Sequence, residues 1–463
     1  MESGEFKLPS GFHDYKNKPT DTGNYRKNAD YRDKKGSFKL GLTPNDTDEY
    51  VMGYSKQEGD KNQPAYTGKN KNEQVRFWRW PQWDKESIYF LSSTQLNEQN
   101  TIKTRVYRDD YKNTLRMYDD AIFASYENSP YQDKTYGAAL EWINTSINNH
   151  ELHIAVHYKD DRHQSADAKS TKDFRDVTRA VAIEDLIRLA PTWRMRISLS
   201  HEERSARKAF STDYPNLTKD TTRSTYGLLE VMHDLSEEIE LFMSVAKKTR
   251  MPTLKDRFSA RMGKAYANPN LKPEAARHAE LGVRGNVWTG GYMQASVFYS
   301  HVRNEMQFMP YRDREQLQNT GKARHRGLEI SLDQSIADNW QLGAAYTYLN
   351  RVNLTDRSIK LTDTLRHKLF THATWRPIEK VALQATVEVE AGRRIAQRQN
   401  KGQSDTYTTL SGFTTFGLKS TWNVLDELSL EAGVRNLTNK NYAYADGYPQ
   451  PSRTWFAGAN YTF

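Results

Sequence analysis

Three short segments gather the residue types best suited to chemistry. The first holds His150, Glu151, His153 and His157, the donor types of a metal site. On a helix this spacing would collect imidazoles on one face. On a strand, where each residue rises about 3.3 Å, His153 and His157 stand roughly 13 Å apart and share no ion. The second segment runs from Arg76 to Trp83 and carries Arg76, Phe77, Trp78, Arg79, Trp80 and Trp83. Two guanidinium groups among three indoles could hold an anionic, aromatic-bearing ligand by charge and stacking. The reading favoured over that one is structural, a belt of amphipathic rings whose arginines meet phosphate. The third, His201-Glu202-Glu203-Arg204, reads as solvated charge at a strand end. The sequence has no phosphate-binding glycine loop, no Gly-x-Ser-x-Gly and no His-Glu-x-x-His, so it does not read as an enzyme and no cofactor is expected.

Which of these readings applies depends on the elements that carry the residues. The chain has 463 residues, 37% of them hydrophobic and 12% aromatic, with 27 Tyr, 17 Phe and 10 Trp. It is polar but too rich in aromatics for a disordered chain. No uncharged run approaches the roughly 18–20 apolar residues of a membrane helix. The absence of cysteine excludes a disulfide scaffold and thiolate sites. Net charge is +9, from 67 Lys+Arg against 58 Asp+Glu, and both signs are dispersed, so no nucleic acid partner is expected.

Strict alternation dominates. Leu152, Ile154, Val156 and Tyr158 alternate with His153, Ala155 and His157; Trp193, Met195, Ile197 and Leu199 alternate with Arg194, Arg196 and Ser198; Leu428, Leu430, Ala432 and Val434 alternate with Ser429, Glu431, Gly433 and Arg435. Period two means β-strand. Short turn signals fall between successive pairs of such runs: Thr43–Asp46, Asn97–Asn100, Ser146–Asn149, Ala190–Thr192, Leu235–Glu237, Gly285–Val287, Ile336–Asn339, Arg376–Glu379 and Asn423–Asp426. Long polar stretches, such as 59–74 and 204–223, separate the hairpins. Tight turns at one edge, long loops at the other and strands of about 10 residues define a transmembrane barrel rather than a soluble sandwich. Trp142, Trp193, Trp288, Trp340, Trp375 and Trp422 sit near the short turns, where a membrane–water girdle is expected. Lumen-side Arg194, Arg196, Glu329, Asp333, Glu388, Glu390, Glu431 and Arg435 are expected to line water or lack partners.

The turns predict about 19 strands, roughly two per short turn plus the last. The first, Gly36–Leu42, and the last, Thr454–Phe463, both run toward the short-turn side, whereas a closed single-chain barrel has an even number of strands. The expected organisation is therefore a polar, extracellular-loop-like segment at 1–35 followed by an incomplete barrel at 36–463. Residues 1–11 show no charged start followed by an apolar stretch, so no signal peptide is expected.

These residues resemble the barrel of TonB-dependent outer-membrane receptors. The resemblance is carried by Asp46–Tyr50 with Tyr54–Gly59, Phe77–Lys85, Lys255–Ser259 with Asn268, Pro269, Leu271, Pro273 and Glu274, Asn319–Gly321 with Gly327–Glu329, and the ending Val434–Tyr442, Gly447–Pro449 and Arg453–Trp455. The last strand is similar to the sorting signal read by the outer-membrane insertion machinery, with Gly458, Tyr461 and Phe463 in place and Phe456 departing from its polar preference. The resemblance implies an all-β, antiparallel barrel, about 19 strands of a 22-stranded one, from which the plug domain is absent. It implies the cell outer membrane, with lipid, lipopolysaccharide and the insertion machinery as partners. The cargo would be a metal chelate, a ferric siderophore first among several, and TonB would engage only through a supplied plug. On this reading the chain is truncated and does not transport alone; a remnant of an interrupted gene and a passive pore are the alternatives. Arg76, Trp78, Arg79, Trp80 and Trp83 are the candidate substrate-binding residues. The motif Asn268–Glu274 is expected to shape a loop, since two prolines fix its backbone.

Overall fold

A computed structural model of the protein describes residues 2, 3, 6, 7 and 25–462, apart from 69, 71, 72, 74, 168, 169, 215, 216, 218, 219, 261–264 and 398–405. Nineteen long strands make one antiparallel sheet. They are β1 Tyr31–Leu42, β2 Glu49–Gln63, β3 Phe77–Asn97, β4 Asn100–Tyr118, β5 Tyr126–Asn144, β6 His150–Ala166, β7 Thr171–Ala190, β8 Trp193–Ser211, β9 Thr221–Asp234 and β10 Ile239–Arg250. The series continues with β11 Glu274–Trp288, β12 Gly291–Arg303, β13 Lys322–Ala337, β14 Trp340–Asn353, β15 His367–Ile378, β16 Val381–Ala391, β17 Phe413–Asn423, β18 Leu428–Arg435 and β19 Thr454–Tyr461. Each pairs with its sequence neighbour, and Glu2–Ser3 adds a two-residue pairing to Tyr31 and Arg32.

The strand count matches the expectation, but lengths and two turns differ. β3 runs 21 residues and β7 runs 20, because polar residues read as loop continue the ladder beyond the apolar band. β1 likewise begins at Tyr31 rather than Gly36. The turn expected at Gly285–Val287 lies inside β11; the chain reverses at Thr289 and Gly290, where φ is +71°. Gly285 serves another purpose. Its φ is +140°, and a Cβ there would lie 1.9 Å from the Glu238 carbonyl oxygen on the adjoining turn. The reversal expected at Arg376–Glu379 falls slightly later, since β15 continues to Ile378.

Alternation divides the two faces. One carries exposed apolar side chains, among them Met52, Phe90, Leu140, Val156, Val181, Leu199, Leu281 and Leu418. The six tryptophans expected as a girdle are exposed at the short-turn edge, with Trp340 and Trp375 stacked at 5.6 Å and Trp193 stacked on His233 at 4.1 Å. The other face is charged and internally paired, which corrects part of the expectation. Arg194 reaches Asp234 and Glu240, both at 2.6 Å, Arg196 reaches Glu230 at 3.2 Å, and Glu390 meets Arg393 at 3.1 Å. Glu431 meets Lys419 at 2.5 Å, and Arg435 lies over the Phe456 ring at 5.1 Å. Neighbouring strands bring opposite charges within reach, so these groups need no second domain to find partners.

No register joins β19 to β1 among the described residues. β1 from Lys34 to Leu42 and β19 from Thr454 to Asn460 each have a ladder partner on one side.

Candidate functional site

The histidine segment lies on β6, and the strand separates its members. His153 is held by Glu141 at 2.8 Å and Glu151 at 3.0 Å, while His150, on the opposite face, bonds Asp185 at 2.8 Å. These two imidazoles serve as local cross-strand contacts.

The Arg76–Trp83 segment forms the loop-side end of β3. Pro81 cannot donate to a ladder, and the register slips between Arg79 and Gln82. Past that slip the rings stand edge to face in a chain: Trp78 to Trp80 at 6.0 Å, Trp80 to Trp83 at 6.0 Å and Trp83 to Tyr111 at 5.4 Å. Lys61 of β2 places its ammonium 3.1 Å from the Trp83 centroid and 5.3 Å from that of Trp80. Arg76 covers Trp78 at 4.1 Å, and Arg79 covers Phe123 at 4.2 Å. Trp83 is on the polar face, by alternation with Asp84, Glu86 and Ile88 of the apolar side. Burial pushes the Lys61 ammonium below its usual range. The structure brings Arg76, Trp78, Trp80 and Trp83 together and adds Lys61, whereas Arg79 pairs in the ladder with Arg116 and covers Tyr118 and Phe123 on the opposite, apolar face. It also adds Asn28, which donates to the Gln63 and Trp78 carbonyls at 2.7 and 3.2 Å and accepts from Arg79 at 2.7 Å. Neither carried a sequence signal: each is a single polar residue outside any pattern.

A second group of contacts spans the two ends of the sheet. Segment 64–76, between β2 and β3, meets segment 436–453, between β18 and β19. The Thr67 amide and hydroxyl both donate to the Gly447 carbonyl, at 3.0 and 3.1 Å. The Tyr66 hydroxyl donates to Asp446, its ring meets Tyr448 edge-on at 6.0 Å, and Arg26 donates to the Ala65 carbonyl. Beside this clasp is a cavity of about 430 Å³ lined by Phe413, Lys440, Tyr442, Asp446, Gln397 and Thr408. Burial raises the Tyr442 and Tyr448 hydroxyls above the usual phenol range.

The two halves of the loop motif form one knot. Thr253 and Asp256 make a capping box at the start of helix α1, Leu254–Phe258. Arg250 bonds Asp256 at 3.0 Å and Glu274 at 2.7 Å, and Glu274 accepts from the Met306 amide at 2.6 Å. The Asn268 amide donates to the Arg257 carbonyl at 2.8 Å, and Leu271 is buried. Lys272 and Asn319 exchange bonds at 2.9 and 3.0 Å, while Asn304 donates to the Pro273 carbonyl at 3.2 Å. Pro269 is half-buried beside Asn268. Arg257 pairs with buried Asp176 of β7, whose carboxylate Arg204 of β8 approaches at 3.5 Å, and Phe258 stacks on Phe174 at 4.6 Å. In the final strand, Gly458 leaves room for Glu431, whose Cγ lies 3.3 Å from a Cβ built there, and Tyr461 is exposed. Phe463 lies outside the described residues.

Known proteins share this architecture. The family described as TonB dependent receptor-like, beta-barrel, matches residues 11–437, and the chain belongs to it. That places it among outer-membrane receptors rather than enzymes. The ferrienterobactin receptor of Escherichia coli (strain K12) is 24% identical over 283 residues, covering 51% of this chain and 37% of the receptor. The ferric enterobactin receptor of Pseudomonas aeruginosa is 28% identical over 165 residues, covering 32% of this chain and 22% of that one. The matches therefore span well under two thirds of these relatives. Among solved structures, the copper transporter OprC superimposes with a TM-score of 0.82 at 17% identity, over all of this chain and 74% of that one. The FrpB iron transporter from Neisseria meningitidis gives 0.78 at 12% identity, over 100% and 76%.

Proposed function

We propose that this chain is the barrel of an outer-membrane receptor that captures an anionic, aromatic-bearing metal chelate, a ferric siderophore, at its extracellular rim. The observation that carries the reading is the Lys61–Trp83–Trp80 group on the polar face, continued by Trp78 under Arg76. A cation over an indole face contributes about 0.5–2 kcal/mol, and here the rings are already aligned edge to face. A flat, negatively charged chelate gains charge contacts from Arg76 and Lys61 and stacking from the half-buried rings. The relatives named as ferrienterobactin and ferric enterobactin receptors support an iron chelate over other cargo. Uptake beyond capture would need a plug and TonB, so the test reads binding. The refolded chain is titrated with a ferric catecholate while tryptophan emission is followed. Saturable quenching is expected, weakened about tenfold in Trp83→Ala and Lys61→Gln. Quenching in either variant as strong as in the wild type, or as strong with an uncharged chelate, would refute the assignment.

A further inference from the structure

The cavity beside the clasp draws its walls from four segments distant in sequence. Thr67 comes from the loop after β2, Ile395 from the hairpin of Arg394–Gln397 with Thr406–Thr409, Phe413 from the start of β17, and Lys440, Tyr442 and Asp446 from the loop before β19. At about 430 Å³ it falls within the range of small-molecule sites. One part of the wall is apolar: Ile395 and Phe413 are buried, and the Phe413 and Tyr442 rings lie 4.5 Å apart.

The cavity also holds one acid and one base. The Asp446 carboxylate accepts from the Tyr66 hydroxyl through Oδ2, and no cation is paired with it among the described residues. Lys440 is held by its main chain rather than its ammonium: its amide donates to Asn436 Oδ1 at 2.7 Å, and its carbonyl accepts from Asn436 Nδ2 at 2.9 Å. Asn436 is buried with φ +49°, so the segment carrying the lysine is anchored while Lys440 itself stays exposed. No acid is paired with that ammonium among the described residues. Two opposite charges thus border one cavity without neutralising each other, beside aromatic rings whose faces attract an ammonium group.

We propose that this cavity binds a small zwitterion of the amino-acid class, its ammonium on Asp446, its carboxylate on Lys440 and an apolar side chain against Ile395, Phe413 and Tyr442. Each end of such a molecule supplies the charged hydrogen bond that one wall residue lacks. A chelate of net negative charge gains nothing at Asp446, so the site is separate from the Lys61–Trp83 group. Thr67 and Asp446 belong to the two loops of the clasp, so an occupant also favours the arrangement in which those loops meet.

The test is saturation-transfer NMR of the full refolded chain in detergent with three probes: L-phenylalanine, its N-acetyl form and its carboxamide. L-phenylalanine is expected to bind saturably, and each capped form about tenfold more weakly, since each loses one charged hydrogen bond. Asp446→Asn should bind L-phenylalanine and the N-acetyl form alike, and Lys440→Gln should bind L-phenylalanine and the carboxamide alike. Because Asp446→Asn also touches the clasp, Lys440→Gln is the decisive variant: it leaves the Asn436 bonds in place, and its quenching by a ferric catecholate should match that of the wild type. Equal binding of the three probes, no saturable binding of L-phenylalanine, an unaltered preference in Lys440→Gln, or loss of chelate quenching in that variant would overturn the proposal.

Discussion

Thr67 and Gly447 lie 380 residues apart and are joined twice, since the amide and the hydroxyl of Thr67 both donate to the Gly447 carbonyl. The two residues belong to loops at opposite ends of the ladder. Their contact means that the sheet curls until its first and last strands stand near each other, although no register links them. Gly447 has φ +75°, and a Cβ there would come within 2.2 Å of the Tyr66 ring. Gly447→Ala should therefore cost about 1–3 kcal/mol locally and release segment 64–76. Tyr66→Phe, which removes the bond to Asp446, should cost about 1 kcal/mol. Limited proteolysis of the folded chain measures both; equal cleavage of wild type and Gly447→Ala would contradict the clasp.

The loop knot turns on one buried pair. Arg257 and Asp176 have side chains only 4% and 2% exposed. Arg257→Met strands a carboxylate, and breaking such a pair costs on the order of 3–5 kcal/mol. Arg204, at 3.5 Å, offsets part of this. The double change Arg257→Met with Asp176→Asn should recover most of the loss. Urea midpoints of the heat-modifiable form on gels would show the order wild type, double, single; a double variant as weak as the single one would argue against the pair.

Glu305 gives the loops an acid limit. Burial alone would raise its carboxyl, but the hydrogen bond and charge of His325 and the Arg351 guanidinium hold it below the usual range. A depressed carboxyl stabilises the fold above the ordinary value of about 4.3, and the contribution disappears as pH falls through the lower folded value. Thr320 donates its amide to the Glu305 carbonyl at 2.7 Å. Exchange protection at Thr320, corrected for intrinsic rate, should stay level from pH 7 to 5 and fall below about pH 4. Glu305→Gln should flatten that profile.

The stacked pair Trp340 and Trp375 marks the short-turn membrane boundary. In vesicles, lipids brominated near the headgroup should quench tryptophan emission more than lipids brominated near the chain end, since amphipathic rings settle at the interface. Replacing both residues with phenylalanine should reduce that difference. Deeper bromines quenching more strongly would put the boundary elsewhere.

Much of this was legible because period two is a local signal. Runs such as Leu152–Tyr158 declare strand, face and direction without reference to distant residues. Strand length was less legible. Beyond the lipid band both faces of β3 to β8 meet water, so alternation fades while the ladder continues. Gly285 misled for a related reason: a glycine beside asparagine signals a turn, yet this one is there because the Glu238 carbonyl crowds its Cβ position. The Arg76–Trp83 cluster was visible as composition, and the two halves of the loop motif as separate patterns. That Lys61 caps Trp83, that Asn28 joins β2 to β3, and that Arg257 seeks Asp176 are pairings across a fold, which no local pattern encodes.

The unequal strands give the molecule a tall side and a low side. At about 3.3 Å per residue, β3, with 21 residues, extends roughly 70 Å, while β18 and β19, with eight each, extend roughly 27 Å. The hydrophobic belt of such proteins is about 25 Å tall, so the short strands are nearly spent in crossing it. The long ones rise far above as a palisade. Above the belt, the rim is hydrogen-bonded ladder on that flank and loop on the opposite one.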